Sequence, residues 1–306
     1  MPKTAFAIVF AALLGGAALA CMGPADARVN FNSVLSLWFD TARDADQIGL
    51  KLTRMSDEEE MQLGREFSQT MLAEYPEDPT LSRYVTDVAQ PLLAGVRRKG
   101  IRYQFHVIGT PIINAFAMPG GQVFVTTGLL NFVDSEAELA AVVGHEMSHV
   151  DLRHCVERFQ YEYKLKKAGM ADAGWMVTVA HQLATLGFTP YQESEADASG
   201  ERLAVEAGYD PDAAATLFKR MSAYFGEPGS TRATTPGGEV GQAAGEAIGS
   251  YFRSHPPSAD RARQLSEMVA EHRSSLAGKS FYIGKQNLQR RVARIREQFP
   301  GETREL

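Results

Sequence analysis

Cysteine is scarce in this sequence of 306 residues, which contains only Cys21 and Cys155. One cysteine in the body of the chain excludes a fold stabilised by a disulfide framework. Long runs of Lys or Arg are also missing, and the formal net charge is -6. Because phosphate binding needs a concentrated basic face, we expect no nucleic-acid partner. Stability must come from an apolar core, and 44% hydrophobic residues is ordinary globular composition.

Beyond the first twenty residues the sequence has no transmembrane candidate. Lys3 is followed by an uncharged run over residues 5–20. This run is shorter than the roughly 20 residues that cross a bilayer as a helix, which favours a secretory signal over a permanent anchor. Cys21 then stands where a bacterial lipoprotein carries its lipid anchor, and cleavage without lipidation after Ala20 or Ala27 is the alternative. Both routes predict a periplasmic protein, and lipidation predicts an outer-membrane lipoprotein.

Local start signals predict most of the helices. Ser56 with Glu59 and Ser135 with Glu138 form capping boxes, the second opening a helix that extends past His154. Further helices are predicted from Asp78-Pro79, from Thr189-Pro190 to Gly208, from Asp210-Pro211, and around residues 258–272 and 285–298.

Strand signals are confined to the middle of the chain. Residues 103–109 alternate as a strand does, and the apolar runs 114–118 and 122–126 flank a Pro-Gly-Gly turn. We therefore expect a β-hairpin beside the helices. Residues 226–254 have many glycines and no hydrophobic period, which predicts a long mobile loop.

The most informative motif is His145-Glu146-Met147-Ser148-His149. On a helix, four residues of spacing leave the two imidazoles 40° apart on one face, about 5–6 Å from each other at Cβ. Both can bind one metal ion, and zinc accepts neutral imidazole nitrogens. Glu146 lies beside that face, where it can take a proton from a bound water.

A catalytic zinc needs a third protein ligand. Glu193 and Asp197 repeat the one-turn spacing on another helix, whereas Glu195 points nearly opposite. We expect Glu193 to bind the metal and Asp197 to hold the second ring nitrogen of a ligand histidine. The alternative is that both acids only complement the positive helix N-terminus. A lone Cys155 in an apolar helix is better explained as a small buried hydrophobe than as a ligand.

These motifs resemble the zinc metallopeptidase family that includes the HtpX heat-shock proteases, the CAAX prenyl endopeptidases and the BepA-like periplasmic proteases. Four blocks of sequence carry the resemblance, and together they span most of residues 55–273. They are Asn114–Gly121 with Thr127–Leu130, His145–His154, Glu193–Asp197, and His255-Pro256-Pro257 with Arg261. The resemblance likewise implies that Glu193 is the third zinc ligand. The sequence differs from these relatives in two ways. We expect none of the membrane helices of HtpX and the prenyl endopeptidases, and too few residues follow Arg261 for a tetratricopeptide array.

The resemblance also implies roles outside the ligand set. It implies that the strand formed by Asn114, Ala115, Phe116, Ala117 and Met118 borders the cleft and pairs with substrate, although a core hairpin is equally compatible with the residues. His255 is expected to approach the zinc and hold the enzyme inactive, with a purely structural histidine as the alternative. Apart from the resemblance, His255, Arg261 and a tyrosine are candidates for stabilising the oxyanion of the transition state. We interpret His154 as a supporting hydrogen-bonding residue.

The sequence therefore predicts an α+β, mainly α, zincin-like fold with a small sheet beside the motif helix and one Zn²⁺ per chain. The expected organisation is a signal peptide (1–20), a tether (21–50), a metallopeptidase domain (51–273) and a C-terminal helical segment (274–306). The expected function is a zinc endopeptidase for protein quality control, with unfolded or misassembled envelope proteins as substrates. The alternative is a chaperone or assembly factor that works with the outer-membrane assembly machinery and has a latent protease site.

Overall fold

The structure is a computed structural model that describes residues 54–157, 188–225, 255 and 259–306. Residues 55–306 belong to one unit, which contains every contact discussed below. The helices in the described ranges are α1 (Asp57–Glu74), α2 (Pro79–Ala89), α3 (Thr127–Phe132), α4 (Glu136–Asp151), α5 (His154–Glu157), α6 (Pro190–Glu206), α7 (Ala213–Phe225), α8 (Ala259–Leu276) and α9 (Lys285–Arg290). The strands there are β1 (Gln104–Ile108), β2 (Ala115–Met118), β3 (Gln122–Thr126), β4 (Ser280–Tyr282) and β5 (Thr303–Glu305).

Side-chain caps begin several helices where the sequence predicts them. Ser56 Oγ accepts the N–H of Glu59, and the Glu59 carboxylate accepts the N–H of Ser56, so the predicted capping box of α1 is present. Asp78 caps α2, and Thr189 caps α6 with a proline in its first turn. The helix starts are therefore local properties of the chain.

Helix α4, which carries the histidine motif, differs from the sequence prediction at both ends. Ser135 Oγ accepts the N–H of Glu138, but the Glu138 carboxylate accepts the N–H of Asp134 and not that of Ser135. The predicted extension of this helix past His154 is wrong. Arg153 adopts a left-handed conformation with φ 69°, which ends α4, and the separate short helix α5 begins at His154.

The predicted hairpin is confirmed as part of a three-stranded sheet. β2 pairs with β3 in antiparallel register, with Phe116 opposite Phe124, and β1 adds to β3 in parallel. Gly120 and Gly121 supply the positive φ values (72° and 86°) of the turn. All four residues of β2 are buried, and the strand packs against α4 at the edge of this sheet.

The crossing of α4 and α6 forms the centre of the fold. Every residue of α4 is buried, and Val143 and Met147 join Leu203 of α6 in the main apolar core. Glu193 and Asp197 share the α6 face that meets α4, so this crossing brings the two predicted ligand helices together.

The C-terminal segment is only partly helical, in contrast to the prediction for residues 274–306. β4 and β5 form an antiparallel pair, and α9 is a helix of six residues. The carbonyl groups of Ile283 and Gly284 accept the N–H groups of Ala137 and Glu136 at 3.0 and 3.1 Å. The segment therefore satisfies backbone donors in the first turn of α4, which have no partner within their own helix. None of the described helices is long and apolar enough to span a membrane.

Candidate metal centre

Four buried side chains bring one potential ligand atom each to a common point between α4 and α6. These residues are His145, His149, Glu193 and His255, and among the described residues no other group of this kind is found. The first two come from α4, the third from α6, and His255 from the chain that precedes α8. The structure thus assembles the three predicted metal ligands and adds a fourth donor.

The spacing of these donor atoms fits a tetrahedral metal ion. His145 Nε2 lies 3.1 Å from His149 Nε2 and 3.3 Å from His255 Nδ1. Glu193 Oε2 lies 3.5 Å from His145 Nε2. Glu193 Oε1 lies 3.5 Å from His149 Nε2 and 3.0 Å from His255 Nδ1. Zinc bonds of about 2.0–2.1 Å in a tetrahedron place neighbouring donors about 3.3 Å apart. The cluster therefore has the size of a zinc coordination sphere.

Ion pairs and hydrogen bonds connect α4 to α6 at the site. Asp197 Oδ1 lies 3.0 Å from His145 Nδ1, which is the predicted contact and leaves Nε2 facing the cluster. Arg261, from α8, donates to Asp197 through Nε and Nη2 at 2.7 and 2.8 Å. Its Nη1 lies 2.8 Å from Glu193. Arg261 therefore orients both carboxylates, and its candidacy for stabilising the transition state stays a prediction.

His149 is supported from the side away from the cluster. Its Nδ1 lies 3.0 Å from Nδ1 of His154, and His154 Nε2 lies 3.5 Å from the Glu195 carboxylate. The ring of Phe188 stacks on the His149 ring with centroids 3.7 Å apart and planes 15° apart. His154 thus occupies the supporting position predicted for it, and Phe188 has no signal in the sequence beyond its place next to the start of α6.

Glu146 is fully buried beside the cluster. Neither of its carboxylate oxygens accepts a hydrogen bond from a described residue. Nε2 of His255 lies 3.3 Å from Oε1 of Glu146, and Nδ1 of the same ring lies 3.0 Å from Glu193, so His255 contacts both carboxylates. A buried carboxylate with unused acceptor capacity is costly unless a ligand or substrate engages it.

The two imidazoles of α4, His145 and His149, have pKa values shifted in opposite directions. Burial alone would lower the pKa of His145, but its hydrogen bonds to Asp197 and Glu193 raise it to about 10. Burial and the positive charge of His145 hold the pKa of His149 well below its usual value. The pKa values of Glu193 and Asp197 are lowered although burial opposes this, through the charge of His255 and the hydrogen bond from Arg261 respectively. The two acids thus remain anionic and can balance a cation.

Other predicted residues lie outside the donor cluster. Cys155 is buried among Val150, Ala117 and Ile101, as expected of a small apolar side chain. Asn114 precedes β2 and is buried, with its backbone bonded to Thr126. The loop predicted for residues 226–254, and the signal peptide and tether predicted for residues 1–50, lie outside the described residues.

Sequence reasoning missed Glu201, which continues the one-turn spacing of Glu193 and Asp197 along α6. Its Oε1 atom is buried and has no hydrogen-bond partner in the described part of the chain. It lines a small cavity together with His145 and Asp197. Burial, followed by the charges of Asp212 and Asp210, raises its pKa to about 8. The continued four-residue spacing was the signal that could have identified it.

Comparison with known proteins agrees with this geometry. The model of peptidase family M48 matches residues 77–269. The chain belongs to peptidase family M48. The matched range contains α4, α6, Arg261 and His255, so every residue of the cluster lies inside it. The chain therefore contains a domain of a metallopeptidase family, with the zincin-like fold of that family, as the sequence predicts.

Named relatives of this M48 chain fall into two groups. The mitochondrial metalloendopeptidase OMA1 of Schizosaccharomyces pombe is 31% identical over 71% of this chain and 61% of the relative. OMA1 of Arabidopsis thaliana is 32% identical over 55% of this chain and 32% of the relative. The β-barrel assembly-enhancing protease of Yersinia pestis is 29% identical over 60% of this chain and 42% of the relative. The chain thus spans between about one third and three fifths of the length of these relatives.

Proposed function

We propose that this M48 metallopeptidase is a zinc-dependent endopeptidase of the bacterial periplasm that hydrolyses unfolded or misassembled envelope proteins. The single observation that carries the zinc assignment is the donor cluster, in which five of the six residue pairs approach to 3.0–3.5 Å and all four donor atoms lie within 4.8 Å of one another. His145, His149 and Glu193 would hold one ion. Asp197 and His154 would orient the two histidines from behind.

The ion and the residues of the chain would carry out different parts of the hydrolysis. Zinc in this site would polarise the scissile carbonyl and make a water molecule acidic enough to lose a proton near neutral pH. Glu146 follows His145 on α4 and presents two acceptor oxygens at the cluster. It accepts the proton of the attacking water and delivers it to the leaving amide nitrogen, as a general base and then a general acid.

His255 is proposed to act as a brake on this reaction. Its Nδ1 stands at the fourth corner of the donor cluster, and its Nε2 lies 3.3 Å from Glu146. A catalytic zinc needs that corner for water and substrate. His255→Ala is expected to raise proteolysis or self-cleavage. Equal rates for the variant and the wild type would leave His255 with a structural role only.

Location and substrates are proposed from the leader and from the relatives. The apolar run before Ala20 favours export, with Cys21 as a candidate lipid anchor and the outer-membrane assembly machinery as a candidate partner. One group of relatives carries the name β-barrel assembly-enhancing protease. An extended substrate segment is proposed to pair with the edge strand β2.

The decisive experiment is metal analysis of the purified chain together with digestion of casein and of a misfolded outer-membrane protein. We expect one zinc per chain, cleavage by the wild type and no cleavage after chelation. Glu146→Gln serves as the control that should keep zinc but not cleave. Cleavage that survives complete zinc removal would contradict the proposal.

The position of His255 also favours a second candidate, a chaperone or assembly factor with a latent protease site. A filled fourth corner is what a latent zinc centre requires. Complementation of an envelope-assembly defect by wild type and by Glu146→Gln distinguishes the two functions. Equal rescue by both proteins would support the chaperone, and rescue by the wild type alone would support the protease.

A further inference from the structure

The two helices that carry the metal ligands touch through their backbones at a pair of glycines. A Cβ atom added at Gly200 of α6 would lie 2.6 Å from the backbone nitrogen of His145 and 2.8 Å from its Cα. A Cβ atom added at Gly144 of α4 would lie 2.9 Å from the carbonyl oxygen of Gly200. No side chain separates the helices at this point, and the contacted residue is itself a predicted zinc ligand.

We propose that Gly200, together with Gly144, is a positioning residue of the metal centre, setting the distance between α4 and α6 that lets Glu193 reach the ion held by the two histidines. This inference rests on the proposed zinc function. Gly200 follows Asp197 by three residues and Glu193 by seven, so all three lie on the α6 face toward α4. Any displacement of α6 at Gly200 is therefore passed to both acids.

The displacement of α6 that a side chain at position 200 would cause is larger than the tolerance of metal–ligand distances. Relieving a contact of 2.6 Å to an ordinary 3.4 Å requires a shift of about 0.8 Å, whereas metal–ligand distances tolerate about ±0.2 Å. The atoms that would be struck are helical backbone, which cannot rotate away as a side chain can. At Gly144 the same reasoning gives a smaller shift of about 0.5 Å, from 2.9 to 3.4 Å.

The ligands cannot recover by changing rotamer alone. Arg261 binds both Glu193 and Asp197, so the two carboxylates move with α6 and with Arg261 as one body. Alanine is the better helix former at an interior position, and two glycines at one helix crossing are unfavourable for either helix alone. The close approach of the two ligand helices gives a physical reason for tolerating them.

The test compares Gly200→Ala and Gly144→Ala with the wild type in zinc affinity, measured by competition with a chromophoric chelator. The absorption spectrum of the Co²⁺-substituted protein and the Tm of each metal-free chain complete the measurement. We expect zinc affinity to fall about 10–100-fold for Gly200→Ala, as on loss of an outer metal-site contact, and less for Gly144→Ala. The absorption spectrum of the Co²⁺-substituted protein should likewise change more for Gly200→Ala than for Gly144→Ala. Val85→Ala, a core truncation in α2, controls for general destabilisation and should lower Tm with wild-type zinc affinity.

Each outcome decides the matter. A folded Gly200→Ala chain with wild-type zinc affinity and Co²⁺ spectrum would overturn the positioning role while leaving the zinc function intact. If Gly200→Ala does not fold, Gly144→Ala decides by the same readouts. Failure of both variants to fold would also overturn the proposal, since the crossing would then be needed for the core and not for the ligands. A wild-type chain that binds no zinc would refute the proposed function, and the positioning role with it.

Discussion

Each histidine on α4 is held at the nitrogen that faces away from the donor cluster. Asp197 lies behind His145 and His154 behind His149, at 3.0 Å in both cases. This arrangement fixes the ring orientation and leaves each Nε2 directed at the common point. Single-residue changes at the site should therefore separate metal binding from proton transfer.

Glu146→Gln is the cleanest of these changes, because the amide keeps the shape of the carboxylate but cannot act as a base. Proteolysis should fall about 10²–10⁴-fold while the chain still binds one zinc. Initial rates of casein cleavage and metal content per chain measure the two effects. Glu58→Gln, exposed on α1, is the control. Retention of most activity would exclude Glu146 as the general base.

Glu201 predicts a dependence of stability on pH. The folded chain raises the pKa of this carboxyl from 4.5 to about 8, so between these values the folded state holds a proton that the unfolded state has lost. Its contribution to stability is complete below pH 4.5 and is lost as the pH rises through 8. Glu201→Gln cannot titrate and should lose less stability between pH 5 and pH 8 than the wild type.

Urea unfolding at both pH values measures the difference for Glu201. Glu206→Gln, exposed on the same helix, controls for the loss of one carboxylate. Identical changes in the wild type and in Glu201→Gln would show that this carboxyl ionises in the folded chain as it does in the unfolded chain.

At the scale of elements, a buried ion pair connects α1 to the hairpin and to the end of α4. Glu60 is fully buried, pairs with Arg98 at 2.5 Å and accepts the N–H of Gly120 in the hairpin turn at 3.1 Å. Arg98 in turn donates to the carbonyl of Val150 near the end of α4 at 2.8 Å. The edge strand β2 and the ligand helix thus share one electrostatic anchor.

Removing one partner of this anchor should be strongly destabilising. Glu60→Ala leaves the guanidinium of Arg98 buried with Asp57 as its remaining carboxylate in the described contacts. The expected loss is about 3–5 kcal/mol in the free energy of unfolding. Urea denaturation measures it, with the exposed Glu58→Ala expected to change stability by less than about 0.5 kcal/mol. A loss for Glu60→Ala no larger than that of the control would show that the ion pair contributes nothing.

At the scale of the whole molecule, the metal should stabilise the fold. The donor cluster joins α4, α6 and His255, which precedes α8 by four residues, and all four side chains are buried. A ligand that binds only the folded state stabilises it by about 2.7 kcal/mol at 100 times its Kd. Chelation should therefore lower Tm, and added zinc should restore it.

Differential scanning calorimetry with and without chelator measures this stabilisation. His145→Ala, which removes one proposed ligand, should show a Tm that responds less to chelator than the wild type. A wild-type Tm that is unchanged by chelation would show that the cluster does not couple metal binding to the fold.

The sequence by itself determined what depends on near neighbours in the chain. Four-residue spacing on a helix places His145 and His149 on one face whatever surrounds them, and caps such as Ser56 and Thr189 begin helices by local hydrogen bonds. The hairpin followed from alternation around a Pro-Gly-Gly turn. The need for a third ligand favoured Glu193, and the family resemblance agreed with that assignment.

Only the tertiary structure decided which distant groups meet. The end of α4 before His154, the β4–β5 pair, the two carboxylates bound by Arg261 and the stacking of Phe188 have no local signal. The approach at Gly144 and Gly200 depends equally on how α6 crosses α4. Contacts between residues far apart in sequence are set by the path of the chain through the core, and a local pattern contains no information about that path.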